Sequence, residues 1–221
     1  MDDTDPSRKL RLAVLLSGGG RSLHYLHEAA AAGAIPVRIV RVVSSRPDAY
    51  GVTRARDLGH EPVIVQRKGM TQAEFDRRMT EALTRANVDL VCMAGYLVFW
   101  HIPPAFENRV MNIHPALLPE FGGKGFHGHR VHEAVLTAGR PVSGCTVHFA
   151  DNEYDHGPVI LQRQVPVMPH DTPDTLADRV FEAEKEAYPE AIRLFAAGRL
   201  LVVGSHVQIA PEGSSASGMR T

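Results

Sequence analysis

Asn112 and His114 stand two residues apart in Met111-Asn112-Ile113-His114-Pro115, a stretch that reads as the end of a short strand. Side chains at i and i+2 of a strand share a face. The amide and the imidazole therefore point together, and Ile113 turns into the core. That pair suits acyl transfer: an amide N–H can donate to a developing oxyanion, and an imidazole can move protons. A carboxylate stands downstream, Asp155, in the polar turn Asp151-Asn152-Glu153-Tyr154-Asp155-His156-Gly157-Pro158. If the turn reaches His114, Asp155 favours the imidazolium and raises the histidine pKa. The alternative is an ordinary solvated turn.

Two further features carry charge chemistry. Ser17-Gly18-Gly19-Gly20-Arg21-Ser22 lies between a strand and a helix. Its glycines let the backbone approach a ligand and turn N–H groups outward, and the helix N-terminus behind favours an anion. It is neither a P-loop, lacking GK[ST], nor the dinucleotide fingerprint, because Leu23 takes the place of the third glycine. It reads either as a phosphate site or as a plain tight turn. Glu184 interrupts the apolar stripe Leu176, Val180, Tyr188, Ile192 of the last helix. A carboxylate there needs a partner or costs desolvation free energy; a ligand amine and an internal Arg or Lys are the two candidates. His127, His129 and His132 invite a metal reading. No acidic cluster accompanies them, and the segment runs from loop into helix, splitting the three side chains, so no metal is expected.

The elements that must position these groups alternate. Strands are expected at 10–16, 37–43, 62–65, 89–93, 110–113, 143–149 and 158–167. Helices are expected at 23–32, 50–58, 71–87, 129–138 and 173–197. Thr71 with Glu74 forms a capping box, and Phe75, Met79 and Leu83 give that helix its core face. The pattern predicts an α/β fold: an open, mostly parallel twisted sheet with helices on both faces, in which ligands bind at the carboxyl ends of the strands. Residues 10–203 read as a single domain, with 1–9 and 204–221 as flexible tails. At 221 residues, 44% hydrophobic and 22% charged, the chain can hold a core without staples. A net charge of −1 gives no electrostatic case for a nucleic-acid partner. Cys92 and Cys145 sit in apolar runs and read as buried thiols of a reducing compartment. No signal peptide and no apolar run of membrane-spanning length is visible, so a soluble cytoplasmic protein is expected, with no membrane partner.

The stretches LLSGGGRSL, SSRPDAYGVTRA, VCMAGYL, MNIHPALLP, HGHR, GCTVHFADNEYDHGPVILQ and EAEKEAYP run in the order found in the glycinamide ribonucleotide (phosphoribosylglycinamide) formyltransferase family, which the chain resembles over roughly residues 11–203. The resemblance implies a formyltransferase fold, Rossmann-like in its N-terminal half. It implies transfer of formyl from 10-formyltetrahydrofolate, as co-substrate, to the amine of glycinamide ribonucleotide in purine synthesis. Asn112, His114 and Asp155 would be catalytic. Gly18, Gly19, Gly20, Arg21 and Ser22 would hold the acceptor's phosphate, and Glu184 its amine. Leu97, Val98, Phe99 and Trp100, with Asn112 and the loop residues Asn152, Glu153, Tyr154 and Asp155, would hold the folate. His127 and His148 would line the cleft. Partners would be small molecules only, on a monomer or homodimer. The chain departs from the family pattern at Leu97-Val98-Phe99-Trp100, at Gln72, which stands where relatives carry an arginine and leaves Arg67 or Lys68 for a ligand anion, at Arg21, which replaces a smaller residue, and in the long loop EFGGKGFHG. The competing readings are a formyltetrahydrofolate deformylase, a formyltransferase acting on an amino sugar nucleotide, and a catalytically inactive folate- or phosphate-binding domain.

Overall fold

The computed structural model describes residues 8–213. The expected loose leader lies almost wholly outside this range, as does the end of the expected tail. The first strand, β1 (Leu10–Leu16), shows why the sheet is central. Leu12, Val14 and Leu16 face one core cluster, while Ala13 and Leu15 face a second on the other side. A strand buried on both faces needs a continuous apolar run instead of an alternating one, and LRLAVLL is such a run.

The remaining strands are β2 (Val37–Ser44), β3 (Pro62–Ile64), β4 (Leu90–Met93), β5 (Val110–His114), β6 (Val142–Phe149) and β7 (Val159–Pro166). They form one seven-stranded sheet in the order β3-β2-β1-β4-β5-β6-β7. β1 to β5 pair in parallel, and β6 and β7 add antiparallel at one edge. The helices are α1 (Arg21–Ala31), α2 (Tyr50–Asp57), α3 (Gln72–Thr84), α4 (His129–Thr137) and α5 (Pro173–Ala196). α1, α2, α4 and α5 supply residues to the first core cluster, and α3 supplies Phe75, Met79 and Leu83 to the second. Both faces are covered, unequally. Thr71 caps α3 through the reciprocal contact with Glu74 that the sequence forecasts.

Strand order reverses beside β1: the chain leaves it toward β2 and β3, then returns across to β4. The loops after β1 and β4 therefore diverge around a crevice, the usual ligand position in such sheets. Ser17 ties the two loops together. Its N–H donates to the Gly95 carbonyl (3.1 Å), and its hydroxyl accepts from Leu97 N (2.9 Å) and contacts the Ser45 hydroxyl (2.6 Å).

Two expectations change. α1 begins at Arg21, two residues before the expected Leu23, because Gly20 adopts the left-handed conformation (φ 69°) and starts the helix inside the glycine turn. The chain also does not loosen at Gly204. β8 (Leu200–Val203) and β9 (His206–Ile209) form an antiparallel hairpin, Ala210 is buried, and its N–H donates to the Arg199 carbonyl (2.8 Å). Gly204, where the flexible tail was expected to begin, lies in the hairpin turn with Ser205.

Candidate active site

A cleft of about 720 Å³ opens at the carboxyl ends of β1, β4 and β5. Its walls are the glycine turn, the segment 94–97, the end of β5, the loop 123–129, Tyr154 and Asp155, and the α5 face bearing Val180, Phe181 and Glu184.

At its floor the structure brings together Asn112, His114, Asp155 and His148. Asn112 stands opposite His148, and His114 opposite Thr146, in the β5–β6 register. Asn112 Nδ2 lies 3.1 Å from His148 Nε2 and donates to Asp155 Oδ1 at 3.3 Å. The atom facing Asp155 must be the amide nitrogen, since an amide oxygen there would oppose a carboxylate oxygen. His148 Nδ1–H donates to the Phe149 carbonyl (2.9 Å), and its Nε2 faces both Asn112 Nδ2 (3.1 Å) and Asp155 Oδ1 (3.7 Å). His114 Nε2–H donates to the Phe121 carbonyl (2.8 Å), and its Nδ1 stands 3.5 Å from Asp155 Oδ2. With Nε2 already a donor, a bare Nδ1 would set a lone pair against the carboxylate. The geometry therefore suits the doubly protonated ring.

The electrostatics pull both ways. His114 is 3% exposed, and burial lowers its pKa below the ordinary histidine value. The Asp155 charge and the Phe121 carbonyl act in the opposite sense without cancelling it. The expected rise in His114 is thus not met, because desolvation outweighs the neighbouring charge. For Asp155, burial acts upward, but His148, His114 and the Gly123 N–H (2.9 Å) together hold the carboxyl below its ordinary value.

The surrounding motif residues have structural reasons. Thr146 is buried; its hydroxyl donates to Ala116 O (2.7 Å) and accepts from Leu118 N (3.0 Å), pinning the turn that follows His114. Gly157 of D-x-GPVI lies where a Cβ would sit 2.0 Å from the Phe149 carbonyl, so no other residue fits. Phe121 and Gly123 grip His114 and Asp155 respectively, which assigns the front of the long loop to the floor of the cleft.

At the opposite end, α1 has no side-chain cap, and no partner is found for the backbone N–H groups of Gly18 to Ser22 among the described residues. Gly18, Gly19, Gly20, Arg21 and Ser22 all line the cleft. Arg21 pairs with Asp178 (3.1 Å) and lies 3.8 Å over the Phe181 ring. Glu184 borders the cleft, 9% exposed, with no hydrogen bond or ion pair of its own among the described residues. Burial pushes its carboxyl up to about 8, and the Arg21 charge pulls the other way.

This has a consequence for stability. Between the ordinary glutamate value of 4.5 and about 8, the folded protein holds a proton that the unfolded chain has released. Stability there falls as pH rises, and the full cost is present above the folded pKa. Glu184→Gln removes that cost. Its thermal midpoint is expected above the wild-type value at pH 8, with the gap closing toward pH 4.5. A midpoint at pH 8 equal to or below wild type would mean that the carboxylate has an internal partner.

Not every expected site residue reaches the cleft. Leu97, Tyr154, Asp155 and His127 line it. Trp100 does not: it is 2% exposed and packs on Phe106 in the second core cluster, because the chain after Leu97 turns back over α3. Val98 packs against the same cluster. Phe99 stacks on Tyr154 at 5.1 Å. Asn152 accepts from Ile102 N (2.8 Å) and so ties the two loops together. His148 acts from behind Asn112. Gln72 donates to Phe99 O (3.2 Å), which holds the 97–100 segment down, and Arg67 is occupied by Gln72 and the Met70 carbonyl. Arg67 is therefore not available for a ligand anion in this arrangement. His132 lines the cleft with its Nδ1 buried and unpartnered, and burial with the charges of His129 and His114 lowers it to about 4. Sequence reasoning missed Tyr96, Val180 and Phe181 as cleft residues. Only for Val180 and Phe181 was a signal present, their place beside Glu184 on one helical face.

Residues 10–192 match the formyl transferase family. The chain is 40% identical over 193 residues to the chloroplastic phosphoribosylglycinamide formyltransferase of Arabidopsis thaliana, covering 85% of this chain and 65% of the plant protein. It therefore spans about two thirds of that relative's length. It is 35% identical over 195 residues to the phosphoribosylglycinamide formyltransferase of Haemophilus influenzae, covering 86% and 89%. The crystal structure of glycinamide ribonucleotide transformylase 1 from Symbiobacterium toebii superposes with a TM-score of 0.86 at 42% identity, over 92% of this chain and 95% of that one. These matches run over most of its length, and the chain belongs to the formyl transferase family, among the phosphoribosylglycinamide formyltransferases.

Proposed function

We propose that the protein transfers a formyl group from 10-formyltetrahydrofolate to the amine of glycinamide ribonucleotide, a step of purine synthesis. The observation that carries this reading is the placing of Asn112, His114 and Asp155 at the floor of one cleft, between an anion-type turn with a buried carboxylate at one end and the Leu97–Tyr154 wall at the other.

In this reading the unpartnered N–H groups of Gly18 to Ser22 take the acceptor's phosphate, helped by the α1 N-terminus and the Arg21 guanidinium. Glu184 receives the acceptor's amine. That contact supplies the partner its buried carboxyl lacks. The formyl carbon then lies over Asn112 and His114. Asn112 donates its Nδ2–H to the oxyanion formed as the amine adds. The 3.3 Å contact with Asp155 is the one the oxyanion competes for. The new negative charge, added to that of Asp155, favours the imidazolium of His114 at the stage where it is needed. Asp155 holds that ring in place and takes part in moving the proton from the attacking amine to the departing folate nitrogen. The folate lies against Leu97 and Tyr154.

Two results follow. Removing the phosphate from the acceptor should lower kcat/KM by roughly 10- to 100-fold, the value of one or two charge-assisted hydrogen bonds. An unchanged kcat/KM would take the phosphate away from the glycine turn. Treatment with a chelator should leave turnover unchanged, since His127, His129 and His132 form no metal-holding group among the described residues. Loss of activity that added zinc restores would reverse that assignment.

A further inference from the structure

The segment Arg46-Pro47-Asp48-Ala49-Tyr50-Gly51 matches the family but has no part in the site described above. Its role follows from how α2 is capped. The first N–H groups of a helix have no partner inside it, and α2 has no side-chain cap. Gly51, its second residue, instead donates to the Gly18 carbonyl of the glycine turn at 3.0 Å. In a trans peptide the C=O and the N–H point in opposite directions. Turning the Gly18 carbonyl toward α2 therefore turns the Gly19 N–H away from α2, toward the cleft that Gly19 lines. The contact is tight. A Cβ on Gly51 would lie 2.8 Å from the Gly18 carbonyl oxygen and 2.8 Å from Leu16 Cδ1. A Cβ on Gly20 would lie 2.8 Å from Gly51 Cα. Backbone meets backbone here, and neither chain can yield without moving the turn.

We propose that Gly51 is a positioning residue for phosphate recognition: it fixes the Gly18–Gly19 peptide so that its N–H faces the anion, and so sets selectivity for a phosphorylated acceptor. This rests on the acceptor site proposed above. Gly51 touches no substrate, so its effect should fall on one part of the substrate only.

The test compares kcat/KM for glycinamide ribonucleotide with that for its dephosphorylated counterpart, in wild type, Gly51→Ala and Val52→Ala. Gly51→Ala is expected to lower kcat/KM for the phosphorylated acceptor by on the order of 10- to 100-fold, the scale of a misplaced binding group. The dephosphorylated acceptor and the KM for the formyl donor should be little changed, so the preference for phosphate collapses. Inhibition by inorganic phosphate should weaken in parallel. Val52→Ala, which trims a buried side chain of the same helix, should lower the thermal midpoint and keep the preference. If Gly51→Ala proves insoluble, Gly51→Ala combined with Leu16→Val removes the clash with the Leu16 side chain, keeps the one with the Gly18 carbonyl, and should give the same selective loss. An equal loss for both acceptors, or a preserved preference, would overturn the inference. A wild-type enzyme indifferent to the phosphate would instead overturn the acceptor site itself.

Discussion

Asn112→Ala should lower kcat by about 10²–10³-fold, the cost of removing one oxyanion donor, while the KM for the acceptor changes little. The basis is positional. Asn112 reaches the cleft floor from β5, and its amide plane is fixed from two sides, by His148 Nε2 at 3.1 Å and Asp155 Oδ1 at 3.3 Å. Nothing in the phosphate turn or at Glu184 depends on it, so acceptor binding should survive. Steady-state kinetics with both substrates varied separates the two parameters. His148→Ala, which frees one side of that amide, should produce a smaller loss of the same kind. A near-normal kcat in Asn112→Ala would end the oxyanion assignment.

His114→Ala should cost about 10²–10⁴ in kcat, the usual range for a positioned proton-transfer group. The more discriminating experiment leaves His114 in place and removes its charge partner. Asp155 adopts a left-handed backbone (φ 53°), a conformation asparagine also tolerates, so Asp155→Asn keeps the turn and an acceptor for the Gly123 N–H. It removes the charge that acts to raise the His114 pKa against its burial. Activity that depends on imidazolium is lost as pH rises through the histidine pKa. In Asp155→Asn that alkaline limb should therefore move to lower pH, and kcat at neutral pH should fall. A limb that stays in place would detach Asp155 from His114, and the 3.5 Å contact would be structural only.

Much of the site was legible before any coordinates, because strand geometry converts spacing into direction. Asn112 and His114 share a face by the two-residue period of β5. Glu184 stands out because a carboxylate breaks an apolar stripe. The glycine turn announces close backbone approach. Each of these signals is local. What the sequence could not show is where non-local packing decides. Trp100 follows Leu97 by three residues, yet it is buried against Phe106 because the segment folds over α3. The His114 pKa depends on how deeply the ring is buried, which no spacing reports. The α2 contact with the glycine turn joins residues 18 and 51 across a strand and a helix. The hairpin at the C-terminal end was hidden for a different reason: Gly204 and Ser205 read as a loosening tail, but the same residues form its turn.

The fold was forecast from alternation, and the sheet is mostly parallel with helices on both faces. Its antiparallel edge matters to the chemistry. β6 runs back along β5 and so places His148 opposite Asn112 and Thr146 opposite His114. A parallel neighbour would need a crossover before returning; the antiparallel edge lets the strand that pairs with β5 lead directly into the loop carrying Asp155. No helix among the described residues is long and apolar enough to cross a membrane.

The most direct test is release of tetrahydrofolate from 10-formyltetrahydrofolate, measured with and without glycinamide ribonucleotide. Turnover that requires the acceptor and yields its formyl amide is the predicted result. Equal turnover without the acceptor, with formate appearing, would contradict it and make the protein a hydrolase; no turnover with glycinamide ribonucleotide would contradict it too, and leave an amino sugar nucleotide as the next acceptor to try before the cleft is called catalytically inactive.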